Sequence, residues 1–165
     1  MAGTYEPIAT TTLGSGISTY TFSSIPQTYT DLVIIINAVS TNGTSGSYVN
    51  IRFNGDTTTN CYQTSIEAGS GNLTERTSSP YFVCNWHGSA FQSTTQWCSY
   101  YGNVMSYSNT SVKKNLIGQW NGTTEVDLAT GTWPVTSAVT SITVFNPTYN
   151  FGTGSMFTLY GIKAA

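Results

Sequence analysis

Residues 24–40 read SIPQTYTDLVIIINAVS, a polar, proline-bearing lead followed by the most apolar run in the chain. Leu32 to Ile36 are all aliphatic and four of the five are β-branched, the side-chain type that loses least in an extended strand. In a strand, Leu32, Ile34 and Ile36 face one way and Val33 and Ile35 the other. A strand apolar on both sides belongs in the middle of a sheet that is covered on both faces. One cover is the domain core. For the other, the expectation is a loop or other local cover from the same chain, with a neighbouring subunit as the alternative, since large bare apolar patches are uncommon on monomers. The run is far shorter than the ~20 residues a membrane helix needs, so no membrane partner is expected.

The surrounding sequence has the same strand character. In SYVNIRFN, residues 47–54, Val49, Ile51 and Phe53 alternate with Tyr48, Asn50, Arg52 and Asn54. Similar runs recur in EPIATTTL, STYTFSS, CYQTSIEA, YFVCNW, YYGNVMSYS, VKKNLIGQW, TEVDLA, AVTSITVFN and SMFTLYGI, giving about ten candidate strands. No long window repeats apolar positions at three and four. The expectation is an all-β chain, a two-sheet antiparallel β-sandwich of jelly-roll type, forming one domain over residues 1–165 with short terminal arms at MAGTYEP and KAA. Asn54-Gly55 and Asn121-Gly122 have the composition of tight turns, the second joining VKKNLIGQW to TEVDLA as a hairpin. STNGTSGS and EAGSGNLTERTSSP read as surface loops.

Charged residues are 7% of the chain, against roughly 25% in an ordinary soluble domain. Threonine, serine and asparagine, at 29, 20 and 13 residues, replace them. A net charge of -2 supplies no basic field for a phosphate backbone, and Lys113-Lys114 is the one adjacent basic pair, so nucleic acid is not an expected partner. Weakly charged surfaces repel one another little and tolerate dense packing against other copies. The N-terminal residues have neither a basic region nor an apolar core of secretory type, so the expectation is a soluble protein made in a cytoplasm.

Residues able to carry chemistry are few. His87 is the sole histidine and has no second histidine at a metal-ligand spacing. It could activate Cys84 or Cys98, but no orienting group or oxyanion motif accompanies it. Cys61, Cys84 and Cys98 are odd in number, lack CxxC spacing, and read as free buried thiols. Glu125 and Asp127 lie two apart and share a strand face; the expectation is a solvated polar edge, and a glycosidase-like carboxylate pair is the rival reading. NGDTTTN, residues 54–60, reads as an ordinary turn in preference to a calcium loop. Trp86, Trp97, Tyr100, Tyr101, Trp120 and Trp133 are expected in core or subunit packing, with sugar stacking as the alternative. No catalytic, cofactor-binding or metal residue is therefore assigned, and the chain is expected not to be an enzyme.

Four segments, YEPIATTTL (5–13), YTFSSIPQTYTDLVIIINA (20–38), NVMSYSNTSVKKNLI (103–117) and GSMFTLYGIKAA (154–165), together resemble small structural proteins of tailed bacteriophages, particularly those infecting cyanobacteria and other aquatic bacteria. The likeness is thinner from about Thr57 to Gln96. It implies a virion component, most simply a capsid decoration (cement) protein on the outer capsid surface, made in the host cytoplasm. Its implied partners are the major capsid protein and other copies of itself, as a trimer or dimer. The alternative is a tail fibre or baseplate module that binds host-surface glycan. These are scaffold signatures, so no functional residue follows from them.

Overall fold

Strand β3, Asp31–Ala38, places Leu32, Ile34 and Ile36 at 0% exposure in the middle of the core. A computed structural model describes residues 5–42, 48–59, 61–68, 73–85, 94–122 and 126–163, with the backbone path alone for 73–77. Around β3 the chain adds β1 (Tyr5–Thr12), β2 (Thr19–Phe22), β4 (Asn50–Phe53), β5 (Cys61–Ala68), β6 (Leu73–Ser79) and β7 (Phe82–Val83). It continues with β8 (Cys98–Met105), β9 (Lys114–Asn121), β10 (Val126–Trp133), β11 (Ile142–Phe145) and β12 (Met156–Ile162). The described residues contain no helix, so none is long and apolar enough to cross a membrane.

The strands form two antiparallel sheets, one of eight in the order β1-β12-β3-β8-β9-β10-β5-β6 and one of four in the order β2-β11-β4-β7. The expected all-β, two-sheet sandwich is what the sequence makes. The chain crosses repeatedly between the sheets, because each of β2, β4, β7 and β11 is flanked in sequence by strands of the larger sheet. Between the sheets, Phe22, Phe53, Phe82, Phe151, Phe157, Trp120 and Trp133 are buried with the aliphatic residues of β3, β4, β11 and β12. Their rings are keyed to one another: Phe151 meets Phe157 edge-on at 5.0 Å and Phe53 meets Trp133 at 5.8 Å.

The polar lead before β3 is anchored through its backbone. Ile25 joins the core and its N–H donates to the Thr140 carbonyl at 3.0 Å. The Gln27 amide bridges the Ile25 and Val139 carbonyls at 2.8 and 3.1 Å, and the buried Tyr107 hydroxyl donates to the Pro26 carbonyl. SIPQTYT is thus a tied segment that sets the entry angle of β3.

Three expectations are corrected. Residues 73–79, read as loop, form β6 and pair with β5, because a threonine- and serine-rich stretch suits an exposed edge strand once the ladder is available. Asn54 and Gly55 do adopt positive φ (53° and 64°), yet the turn leads from the small sheet to the large one and closes no hairpin. The β9–β10 hairpin forms with Asn121 opposite Val126, which leaves a four-residue connection, longer than a tight turn. Of the expected terminal arms, Met1–Thr4 and Ala164–Ala165 lie outside the described residues. Tyr5 to Pro7 are paired in β1 against β12, and Lys163 is ion-paired to Glu6 at 2.8 Å, which lowers the Glu6 pKa.

Candidate functional site

Alternation normally sends apolar residues inward and polar ones outward. On β5 and β10 the chain does the reverse. The core-facing side of β5 carries Cys61, Gln63, Ser65 and Glu67, all buried, while Tyr62 and Ile66 face out at 40% and 55% exposure. On β10, Asp127 faces in at 1% exposure while Val126 and Leu128 face out, Leu128 at 53%. Ile117 on β9 and Tyr101 and Met105 on β8 continue the same surface. Of the ten large apolar side chains exposed among the described residues, eight lie on this outer face, Tyr5 on β1 being the eighth. The face therefore carries a contiguous apolar surface with no core use.

Charge is nearly absent there. Across the seven strands whose side chains are described, Asp31 is the sole charged residue on the outer face, and its carboxylate accepts from the Ser106 N–H at 2.6 Å. Shallow hollows of about 270 and 300 Å³ adjoin at Ile117, Gly118 and Leu128. Gly118 stays bare for a reason on the opposite side, where an added Cβ would lie 2.2 Å from the Tyr100 hydroxyl. With strands about 4.8 Å apart rising ~3.3 Å per residue, the eight-residue strands β8, β9, β10 and β5 present roughly 500 Å² per copy. Two such faces together bury about 1,000 Å², the lower bound for a specific interface.

The outer side of β3 is not part of this bare surface. Val33 is 0% exposed and flanked on the same face by Tyr160 of β12 and Asn103 of β8; Ile35 is half-buried between Thr158 and Tyr101. Tyr5 packs edge-on to Tyr160 at 6.4 Å, and its hydroxyl reaches that of Tyr101. Burial and that contact both raise the Tyr101 pKa. Tyrosines of the same sheet thus form the local cover, and the exposed surface is centred two strands away on β9 and β10.

Among the described residues, the sequence-predicted chemical residues do not converge. His87, Trp86 and Glu125 lie outside the described residues. Asp127 is no solvated edge: it is buried, core-facing, and directly opposite Glu67, itself 3% exposed. Glu67 was not distinguishable in sequence, because the pairing that joins it to Asp127 runs between strands about 60 residues apart. Cys61, Cys84 and Cys98 are free and buried, and burial pushes the Cys61 thiol up to about 12, far from a reactive thiolate. Asp56 of NGDTTTN is spent within its own turn, accepting from the Thr58 and Thr59 N–H groups at 2.9 and 3.0 Å and from Trp133 Nε1 at 3.0 Å. Burial pushes its pKa up, and these bonds outweigh burial and hold it low. Tyr100, Trp120 and Trp133 are core residues, whereas Trp97 and Tyr101 are exposed. Lys114 is buried, its ammonium held by the Asn109, Val112 and Thr136 carbonyls at 2.5, 2.6 and 2.9 Å, so the Lys113-Lys114 pair forms no basic patch.

No family model and no curated protein matches this chain. A solved structure, a protein of unknown function from Shewanella oneidensis MR-1, aligns with the whole chain and 82% of its own length at 8% identity and a TM-score of 0.26. That likeness is too weak to inform fold or function.

Proposed function

We propose that this chain is a non-enzymatic virion structural protein, a capsid decoration (cement) protein that binds the outer head surface and stabilises the shell. The observation that carries the reading is the inverted patterning of β5 and β10, which exposes Ile66, Val126 and Leu128 while burying Glu67 and Asp127. Burying carboxylates costs free energy, and apolar side chains gain none in water, so the arrangement is sensible when the outer face is covered in the working assembly. Its occupant is a second copy of this chain. Two nearly uncharged faces meet without like-charge repulsion, and sheets pack face to face at about 10 Å.

An oligomer built this way presents several copies of its shell-contacting surface at once, which turns one modest contact with the major capsid protein into a firm attachment. The sequence resemblance to tailed-phage structural proteins supplies the particle. The test is addition of purified protein to expanded heads that lack it, followed by heat or osmotic shock. Binding with increased sturdiness is the expected result; heads that bind none, or break equally with and without it, overturn the role.

A further inference from the structure

The opposite side of the sandwich carries an independent feature. Arg52 is the only charged residue in β2, β4, β7 and β11. It alternates with the buried Ile51 and Phe53, so its side chain lies on the outer side of the four-stranded sheet, where Thr143 of β11 is its cross-strand neighbour. The guanidinium carbon stands 4.6 Å from the centre of the Phe145 ring and 6.0 Å from that of Tyr81, and the two rings meet edge-on at 5.5 Å. Arg52 Nε donates to the Pro80 carbonyl at 3.1 Å. Its two terminal nitrogens make no hydrogen bond within the chain and are not buried, and among the described residues no carboxylate pairs with them.

The ring contact and the Pro80 bond together hold the guanidinium in place. Its terminal N–H groups are thereby presented as a fixed fork, and less side-chain entropy is lost on pairing than for a free surface arginine. Asn50 lies two residues away on the same side of β4, about 7 Å along the strand. There Tyr48, Asn50, Tyr81, Val83 and Pro147 line a hollow of about 280 Å³ that has no charged group in its wall. Gln63 clamps one side of it by accepting from the Val83 N–H at 2.8 Å and donating to the Val83 carbonyl at 2.5 Å. Tyr81 belongs to both the hollow and the arginine's ring pair.

We propose that this face docks an extended segment of a protein partner, with an Asp or Glu side chain on Arg52 and an apolar side chain two residues away in the hollow. In an extended chain, residues two apart project from the same side about 7 Å apart, which matches the spacing between Arg52 and the hollow. A carboxylate meets the guanidinium fork with two parallel hydrogen bonds and neutralises its single charge. A phosphate brings close to two negative charges to a sheet with one cation. An acidic polysaccharide repeats its carboxylates along the chain and would set a further one against an uncharged hollow. Arginine and tyrosine around a pocket for one apolar side chain are also the residue types that dominate protein interfaces.

NMR chemical-shift titration of the full chain tests this with the blocked pentapeptides acetyl-TETLT-amide and acetyl-TLTET-amide, which cover both strand directions, and with their glutamine counterparts. At least one glutamate peptide is expected to bind with a dissociation constant on the order of 1 mM, and its glutamine counterpart at least about fivefold more weakly. Arg52→Gln should erase that preference and leave only the weaker apolar contact. Tyr48→Ala, at the half-buried rim of the hollow, is the second variant; it should weaken both peptides while keeping the preference for glutamate. Absence of binding by both glutamate peptides, equal binding of the glutamate and glutamine forms, a preference that survives Arg52→Gln, or tighter binding of polygalacturonate than of either peptide overturns the proposal. Since the apolar face is on the other sheet, failure here leaves the decoration reading standing, and the converse holds.

Discussion

If the proposed self-association through this face holds, replacing Ile117 and Leu128 together by glutamate should leave the protein monomeric. The two side chains are 48% and 53% exposed and line the same adjoining hollows. Fully burying a Leu or Ile contributes about 1.5–3 kcal/mol, so covering the exposed half of each is worth about 1 kcal/mol. A two-fold contact repeats both on each copy, which brings the sum to about 4 kcal/mol, roughly a thousandfold in dissociation constant. Glutamate adds the cost of desolvating four carboxylates facing one another, so the loss should exceed that figure. Because these residues are exposed in the single chain, its thermal stability should change by less than about 0.5 kcal/mol. Sedimentation velocity over roughly 1–100 μM reads the outcome directly. A parent protein that remains monomeric throughout, or a double variant that associates as the parent does, would refute the assignment of this face.

Gly118→Ala would bring a methyl group to 2.2 Å from the Tyr100 hydroxyl, and Tyr100 is buried, so thermal or urea denaturation should show a loss of about 1–3 kcal/mol. Lys114→Met should destabilise by about 3 kcal/mol or more, since it strands the Asn109, Val112 and Thr136 carbonyls that the ammonium now ties together; an unchanged urea midpoint would contradict that role. Stability should fall as pH rises above about 9, because burial raises the pKa of Cys61, Cys84 and Tyr100 in the fold. The unfolded thiols lose their protons first, the unfolded state then binds fewer protons, and each such group contributes a slope of up to about 1.4 kcal/mol per pH unit. Cys61→Ala should flatten that slope, as read from denaturant midpoints between pH 8 and 11.

The strands were legible wherever local composition alone decides them. DLVIIINAV reads as a two-sided strand and is one, because β-branched side chains fix both its extension and its burial. LTERTSS did not read as a strand, because its extension depends on pairing with β5 and not on its own residues. Alternation in CYQTSIEA was plain, but period-2 patterning leaves open which set faces the core. There the answer came from the neighbours: β10 pairs Asp127 with Glu67 and Leu128 with Ile66, so one face collects acids and the other aliphatics. The candidate docking face was therefore invisible before the strand order was known.

The outer side of the large sheet sets its aliphatic surface among polar side chains, of which Gln119 pairs with Asn121 and Thr132 with Asn115, while Asn103 Oδ1 is unpaired. A core that tolerates buried Glu67 and Asp127 gives up stability that ordinary patterning would have kept. In β5 and β10, where the inversion occurs, that loss coincides with the exposed aliphatics Ile66 and Leu128. Covering those aliphatics in an assembly offsets part of it, and it does so most effectively when the covering partner brings the same surface.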